Sequence, residues 1–566
     1  MLQEEGRSIY LESQGWQTWI NITRAHGGAA KLNDNSPLGS TLRPGKHLPH
    51  AFQGSPWRQD VQSSLSSRKC PVSVDGATKL WTVFMQRVEP IMKISFEWTL
   101  ERLQSALVDS NLWENLSLGE HALALSSCFF GVVTLSDNEC ARDFSESKSS
   151  LLSQYRQHCE DSFARIIMLA IDDILTLKAL CVYTKASIDV VTNQSLWSLM
   201  GLISRSAELL GIHRDGELMG LSPIETEDRR RLWWQVQHLD LILAIKNGVT
   251  PLTFTADWDA KLPLNIDDCD ITLSSKTTPK ERTGLTGISY TLFTYWMIDQ
   301  QRNFRQKRLN QRSPVDRSLL GPLTTMMVDD LEAGLQTNFL QYCDPIKPLD
   351  LLLQISARAV VCVLRLRGMH EMRLVSDQLD NKFHDKYFSM CMQALGYTIT
   401  TYSQPMLRPF HWLAETSFGW HAFIALLLDM PQLRDSNKIK AAWTLLDDLY
   451  AMVAFLTDFS EDKRRLSAAD LLIVTWNVCE RKPELGSMRK PAFVAKLEDD
   501  ISRFRDKLNM AEEVIGVSGS IKPTESEFTE NQPGTGDLLN FNFADIDWSY
   551  WDTVNLGLPN YSAEHA

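Results

Sequence analysis

The chain has 566 residues and a formal net charge of −13, which excludes a sequence-independent polyanion binder, because phosphate binding needs a basic footprint. Its 10 cysteines stand far apart, with no Cys-x-x-Cys pair, a usage that fits reduced, mostly buried thiols rather than a disulfide framework. The opening MLQEEGRSIY lacks the apolar core of a secretory signal, and the longest charge-free apolar run, residues 121–135, falls short of the roughly 20 residues of a membrane helix, so a soluble chain is expected.

In chain order, residues 26–76 are rich in Gly, Ser, Pro, Asn and Gln with little periodicity, and residues 1–79 are expected to form a partly flexible lead-in. His47 and His50 make an H-x-x-H spacing there, but no helix and no third ligand accompany them, so two loop histidines are the better reading. From residue 79 to 271 helical signals follow densely, with turns near Gly119, Asp137 and residues 145–150. Met200, Ile203, Ala207 and Leu210 make one stripe, which stops at Gly211, a helix C-cap signal. The stretch 222–248 then reads as a long amphipathic helix. Ser222 stands at the N-cap, Pro223 at the first helical position, Glu225 in the capping box and Gly248 past the end. Leu232, Val236, Leu239 and Leu243 form its buried stripe, widened by Trp233. Further helices are expected at 290–308, 324–342, 349–374, 386–402, 411–430, 438–457 and 492–515, with no fixed-period repeat and no sustained strand alternation. The expected fold is all-α: one large irregular bundle of stacked helices over residues 80–515, followed by a disordered acidic tail at 516–566.

Several residue groups invite a chemical reading. His213-Arg214-Asp215 copies the first letters of a protein kinase catalytic loop, but the Asn due five residues after the Asp is Gly220, and neither a glycine-rich phosphate loop nor a DFG triplet accompanies it. Pairing of Arg214 and Asp215 with backbone or neighbouring helices just beyond Gly211 explains the triplet more simply. Arg229, Arg230 and Arg231 point about 100° apart on a helix and follow Glu225, Glu227 and Asp228 at favourable spacing, so they read as surface ion pairs rather than a nucleic-acid patch. On that reading the loss of the Arg230 side chain costs about 1 kcal/mol or less. His421, beside Trp420, reads as a core histidine without a partnered nucleophile. Asp267, Asp268 and Asp270 lack the glycine and terminal glutamate of a calcium loop, and turn and cap roles fit them better. Arg302, Arg305, Lys307, Arg308 and Arg312 read equally as a nuclear import signal or as a solvated helix end, and Lys463-Arg464-Arg465 is a weaker candidate because Glu461 and Asp462 adjoin it.

Co-ordered blocks carry a family resemblance. ELLGIHRD, with Gly211, His213, Arg214 and Asp215, is followed by RRRLWW, with Arg230, Arg231, Leu232, Trp233 and Trp234, and by Asp240. Flanking them are LWTVFMQRVEPIMKI from Leu80, ALALSSCFFGVVTLSDNEC from Ala122, LKALCVYTKA from Leu177, LPLNIDDCDI from Leu262, FGWHAFIALLLDM from Phe418 and AAWTLLDDLY from Ala441. The set resembles the middle homology region of fungal transcription factors of the binuclear zinc cluster type, over roughly residues 80 to 458. The resemblance implies a transcription regulator of the nucleus, without catalysis, whose middle region modulates activity and whose relatives often control metabolic or secondary-metabolite genes. It also implies coactivators or other transcription proteins as partners, a homo- or heterodimer as an assembly, and no membrane.

GRSIYLESQGW, residues 6–16, resembles the segment that in this family comes after the zinc cluster, and Cys70 is the only cysteine in the first 127 residues. No zinc site and no other cofactor is therefore assigned, and DNA contact is expected to be indirect or to lie with a cluster preceding these residues. Two alternatives stay open: a full-length zinc-cluster factor whose N-terminus precedes this sequence, and a helical ligand-binding protein sharing the architecture.

From residue 523 to 566 there are eight acidic residues and no Lys or Arg, with Phe541, Phe543, Trp548, Tyr550 and Trp551 interleaved among Asp537, Asp545, Asp547 and Asp552. Acidic and aromatic residues in alternation keep large apolar groups exposed through like-charge repulsion, the composition of activation segments that fold onto coactivator grooves. The same composition also allows a tail packed back on the helices.

Overall fold

The computed structural model describes residues 2–4, 7–9 and, between 73 and 516, all but 168–170, 189, 248, 250, 253–256, 311–319, 376–379, 417, 458–462 and 483–488. His47, His50, Cys70, Gly248 and the tail aromatics Phe541, Phe543, Trp548, Tyr550 and Trp551 lie outside the described residues. The fold is all-α, and one short antiparallel ribbon, β1 (Leu2–Glu4) with β2 (Arg7–Ile9), is the exception among the described residues, in register Leu2 to Ile9. The chain divides into two compact units, Met1–Asn303 and Phe304–Ala566.

From the first unit onward the helices in order are α1 (Val74–Arg87), α2 (Glu97–Val108), α3 (Ser110–Glu114), α4 (Leu118–Thr134), α5 (Asp137–Phe144), α6 (Lys148–Ile167), α7 (Ile174–Ser187), α8 (Asn193–Leu209), α9 (Pro223–Asn247) and α10 (Ser289–Asn310), the last running past the unit's end at Asn303. A capping box starts α4: the Ser117 hydroxyl accepts from the Glu120 amide at 3.2 Å while the Glu120 carboxylate accepts from the Ser117 amide at 2.8 Å. From Ala122 to Val132 this helix is buried on every face, with α1, α6 and α7 packed around it. A Cβ at Gly131 would meet the Leu80 carbonyl oxygen at 2.7 Å, so glycine is what lets α1 approach so closely. Asp173 caps α7, whose residues are buried from Thr176 to Ser187.

α9 departs from the amphipathic expectation. Its Ser222–Glu225 capping box forms as expected, and Leu232, Trp233, Val236, Leu239 and Leu243 are buried. Thr226, Glu227, Arg229, Arg230, Arg231, Gln235, Gln237 and Asp240 are buried as well, so the helix has almost no solvent face. Its charges are neutralised inside the fold instead of facing water.

The second unit comprises α11 (Leu320–Asn338), α12 (Pro348–Val375), α13 (Asn381–Ser403), α14 (His411–Thr416), α15 (Trp420–Asp429), α16 (Ser436–Met452), α17 (Lys463–Glu480) and α18 (Ala492–Gly516). Its core gathers Leu366, Tyr387, Phe423, Trp443, Trp476 and Val494 from six of these helices. The single helix expected over 411–430 is two, because Phe418 and Gly419 interrupt it. α17 is not among the helices expected from the sequence, where only the charged run at its start stands out.

Among the described residues no single helix is long and apolar enough to cross a membrane. The nine described cysteines are all free thiols; Cys269 is exposed, Cys343 half-buried and the others buried.

Candidate functional site: a buried arginine clasp

The site is built where the loop after α8, the first turns of α9 and the irregular segment 257–288 meet. α8 ends in a Schellman motif: Gly211 takes φ +68°, its amide donates to the Glu208 carbonyl at 3.0 Å, and the Ile212 amide donates to the Ala207 carbonyl at 3.1 Å. This turn sends Ile212 and His213 inward, the His213 ring lying 6.1 Å from that of Trp233. At Gly216 a Cβ would lie 2.8 Å from the Thr226 Cα, so the loop lies against the α9 backbone.

Asp215 is 0% exposed and receives four donors. Arg230 grips it bidentately through Nε at 2.8 Å and Nη2 at 2.7 Å, and the amides of Lys261 and Glu217 donate at 2.9 and 3.2 Å. Burial pushes the Asp215 carboxyl up, but the guanidinium and the amides outweigh it and hold the group below its ordinary range. Arg230 also reaches Glu217 at 3.1 Å, while Arg214 pairs with Asp259 at 2.7 Å, whose other oxygen accepts from the Asp215 amide at 2.7 Å.

Arg231, 0% exposed, turns to another side of the helix. It donates to Glu227 at 3.2 Å and to Asp268 at 2.8 Å, and its guanidinium lies 4.2 Å above the Phe96 ring. Glu227 in turn accepts from the Leu264 amide at 3.1 Å. Arg229 takes a third direction, donating to the Leu210 carbonyl at 2.8 Å at the end of α8. Asp228 pairs with buried Lys178 of α7 at 2.5 Å. Trp233 and Trp234 both meet Trp258 edge-on, at 5.6 and 5.4 Å, and the Trp234 indole donates to the Lys261 carbonyl at 2.8 Å.

The surface-pair reading of the arginine triplet is therefore overturned. The three directions hold, as does the Glu227–Arg231 pair, but all three guanidinium groups are buried, and Arg230 finds its partner 15 residues away. Asp267, Asp268 and Asp270 do take turn and pairing roles: Arg282 binds Asp267 and Asp270 at 2.6 Å each, and Asp267 and Asp270 cap each other's amides. Leu232 is buried within the same helix, and Asp240 one turn beyond Gln237. Trp420 and His421 belong to the other unit, in the first turn of α15, where His421 meets His370 edge-on at 5.1 Å. Sequence reasoning missed Asp259, Lys261 and Trp258. No local signal announced them, because each reaches its partners across a long stretch of sequence.

Chemically, the arrangement is a clasp. With four donors on its two oxygens, Asp215 is in no position to take a proton from a substrate. Among the described residues no group of three or more His, Cys, Asp or Glu could hold a metal ion.

Residues 87–313 match the family model described as the fungal specific transcription factor domain. In these residues the chain is similar to a fungal specific transcription factor domain. The clasp lies wholly inside the matched residues, which run from α2 to α10. The chain is similar over its length to the pyriculol/pyriculariol biosynthesis cluster transcription factor 1 of Pyricularia oryzae, 24% identical over 99% of this chain and 78% of that protein. It is 27% identical to the aurofusarin cluster transcription factor aurR2 of Gibberella zeae, over 68% of this chain and 57% of the relative. The transcriptional regulator AacuB of Aspergillus aculeatus is 24% identical over 78% of this chain and 61% of its own length. Against the last two, the chain spans less than two thirds of the relative.

Proposed function

We propose that this chain is a nuclear transcription regulator acting on a secondary-metabolite gene cluster through contacts with other proteins, and that it catalyses nothing. The observation that carries this reading is the domain at residues 87–313 together with relatives named for biosynthetic clusters. Support comes also from the clasp, whose carboxylates and guanidinium groups hold each other and tie α9 to the loop after α8 and to Asp268. On this reading the helices receive and transmit a signal, Phe541, Phe543, Trp548, Tyr550 and Trp551 engage a coactivator, and DNA is reached through a partner or a zinc-cluster module outside these 566 residues. Deleting the gene and measuring transcripts genome-wide is the test. A contiguous set of biosynthetic genes is expected to fall together; unchanged expression of every such set contradicts the proposal.

A further inference from the structure

Between buried Ile271 and Arg282 runs an exposed stretch that the clasp does not use: Ser274, Lys276, Thr277, Thr278 and Lys280 are all exposed. Thr278 precedes Pro279, and residues 278–282 belong to no helix or turn. Proline fixes its own φ and biases the residue before it towards extended backbone. An exposed hydroxyl on extended chain before proline is the form in which a proline-directed kinase takes its acceptor. Ser222-Pro223, the other such pair among the described residues, is ruled out by its surroundings, since the Ser222 hydroxyl donates to Glu225 at 2.8 Å and Pro223 begins α9.

Arg282, four residues after Thr278, couples this stretch to the clasp. It is the cation that ties Asp267 to Asp270, and its amide donates to the Asn265 carbonyl at 2.9 Å. The turn it secures carries Asp268, which accepts from the Arg231 guanidinium at 2.8 Å and from the Glu97 amide at 3.0 Å. The turn also carries Asp267, which accepts from the Gly287 amide at 2.8 Å.

We infer that Thr278 is a phosphoacceptor for a proline-directed kinase, and that its phosphate draws Arg282 away from Asp267 and Asp270 and loosens the turn that seats the outer end of the clasp. In the transfer the Thr278 Oγ attacks the γ-phosphorus of a nucleoside triphosphate, the bond from that phosphorus to the bridging oxygen breaks, and the nucleoside diphosphate leaves. The hydroxyl proton passes to the kinase's base. The product adds about −1.5 to −2 charge and three acceptor oxygens four residues along the chain from a guanidinium that now serves two carboxylates. Phosphorylation at Thr278 stands apart from the transcriptional reading and does not require it.

The test incubates the full chain with a purified proline-directed kinase and magnesium ATP, maps phosphate by tandem mass spectrometry and follows amide hydrogen exchange. Phosphate is expected on Thr278 in the full chain and absent from that position in Pro279→Ala, which keeps the hydroxyl. In the phosphorylated chain the amides of Asp267, Asp270 and Gly287 are expected to exchange several-fold faster. Arg282→Ala is expected to exchange fast there already and to gain nothing from phosphorylation. Phosphate only at other positions, equal labelling of Pro279→Ala, or labelled Thr278 with unchanged exchange at the turn overturns the inference.

Discussion

Removing the Arg230 side chain leaves the buried Asp215 carboxylate with the Glu217 and Lys261 amides but no cation. Losing one member of a buried ion pair costs about 3–5 kcal/mol, because the partner stays charged and desolvated. Arg230→Ala is therefore expected to lower the unfolding free energy, read from urea titrations, by that amount, and Asp215→Ala by a similar one. The double variant should lose less than the sum, since the two share one interaction; additive losses would show that the pair is not a unit. A second residue-scale expectation concerns Glu139, which Arg87 grips at 2.7 Å. The guanidinium hydrogen bond, aided by the Ser136 amide, holds its carboxyl down at about 2 against an ordinary 4.5. A depressed carboxylate contributes stability that is fully present above its unfolded value and is lost as pH falls through its folded one. Wild-type chain should thus lose stability between about pH 4.5 and 2 by a share that Glu139→Gln does not lose; parallel pH curves for the two would contradict the assignment.

At the scale of elements, α9 is the test of how the first unit is held. Leu232→Asp places a charge at a fully buried position and should cost several kcal/mol, enough to unfold or aggregate the unit. Leu218→Asp, at a side chain largely exposed on the loop before α9, should change the melting temperature little; the reverse order would contradict the assigned faces. The same helix explains what the sequence disclosed and what it hid. The Gly211 terminus and the Ser222–Glu225 capping box are local, decided by residues within one turn, and both were legible. The burial of Arg230 and Arg231 was not, because their partners Asp215 and Asp268 lie 15 and 37 residues away and only the folded loops bring them in. α17 was missed for a related reason: Lys463-Arg464-Arg465 looks like solvated charge, yet Arg465 is buried with its guanidinium 5.3 Å from the Phe455 ring centre. Periodicity likewise carried the 411–430 helix across Phe418 and Gly419, where Gly419 leaves the helical region at φ −74°, ψ 59° and serves as the N-cap of α15.

For the whole molecule, the proposal to be tested is that a chain whose residues 87–313 match the fungal specific transcription factor domain is a transcription regulator, with its output leaving through the acidic-aromatic tail. Aromatic anchors usually carry most of the binding energy of such a contact, while surrounding carboxylates steer association and are screened by salt. The most direct measurement fuses residues 523–566 to an unrelated DNA-binding domain and reads a reporter gene. Activation is predicted. It should be abolished when Phe543, Trp548 and Trp551 are replaced together by Ala, and only weakened when Asp545, Asp547 and Asp552 become Asn. A silent fusion, or full activity after the aromatic replacements, would contradict the account.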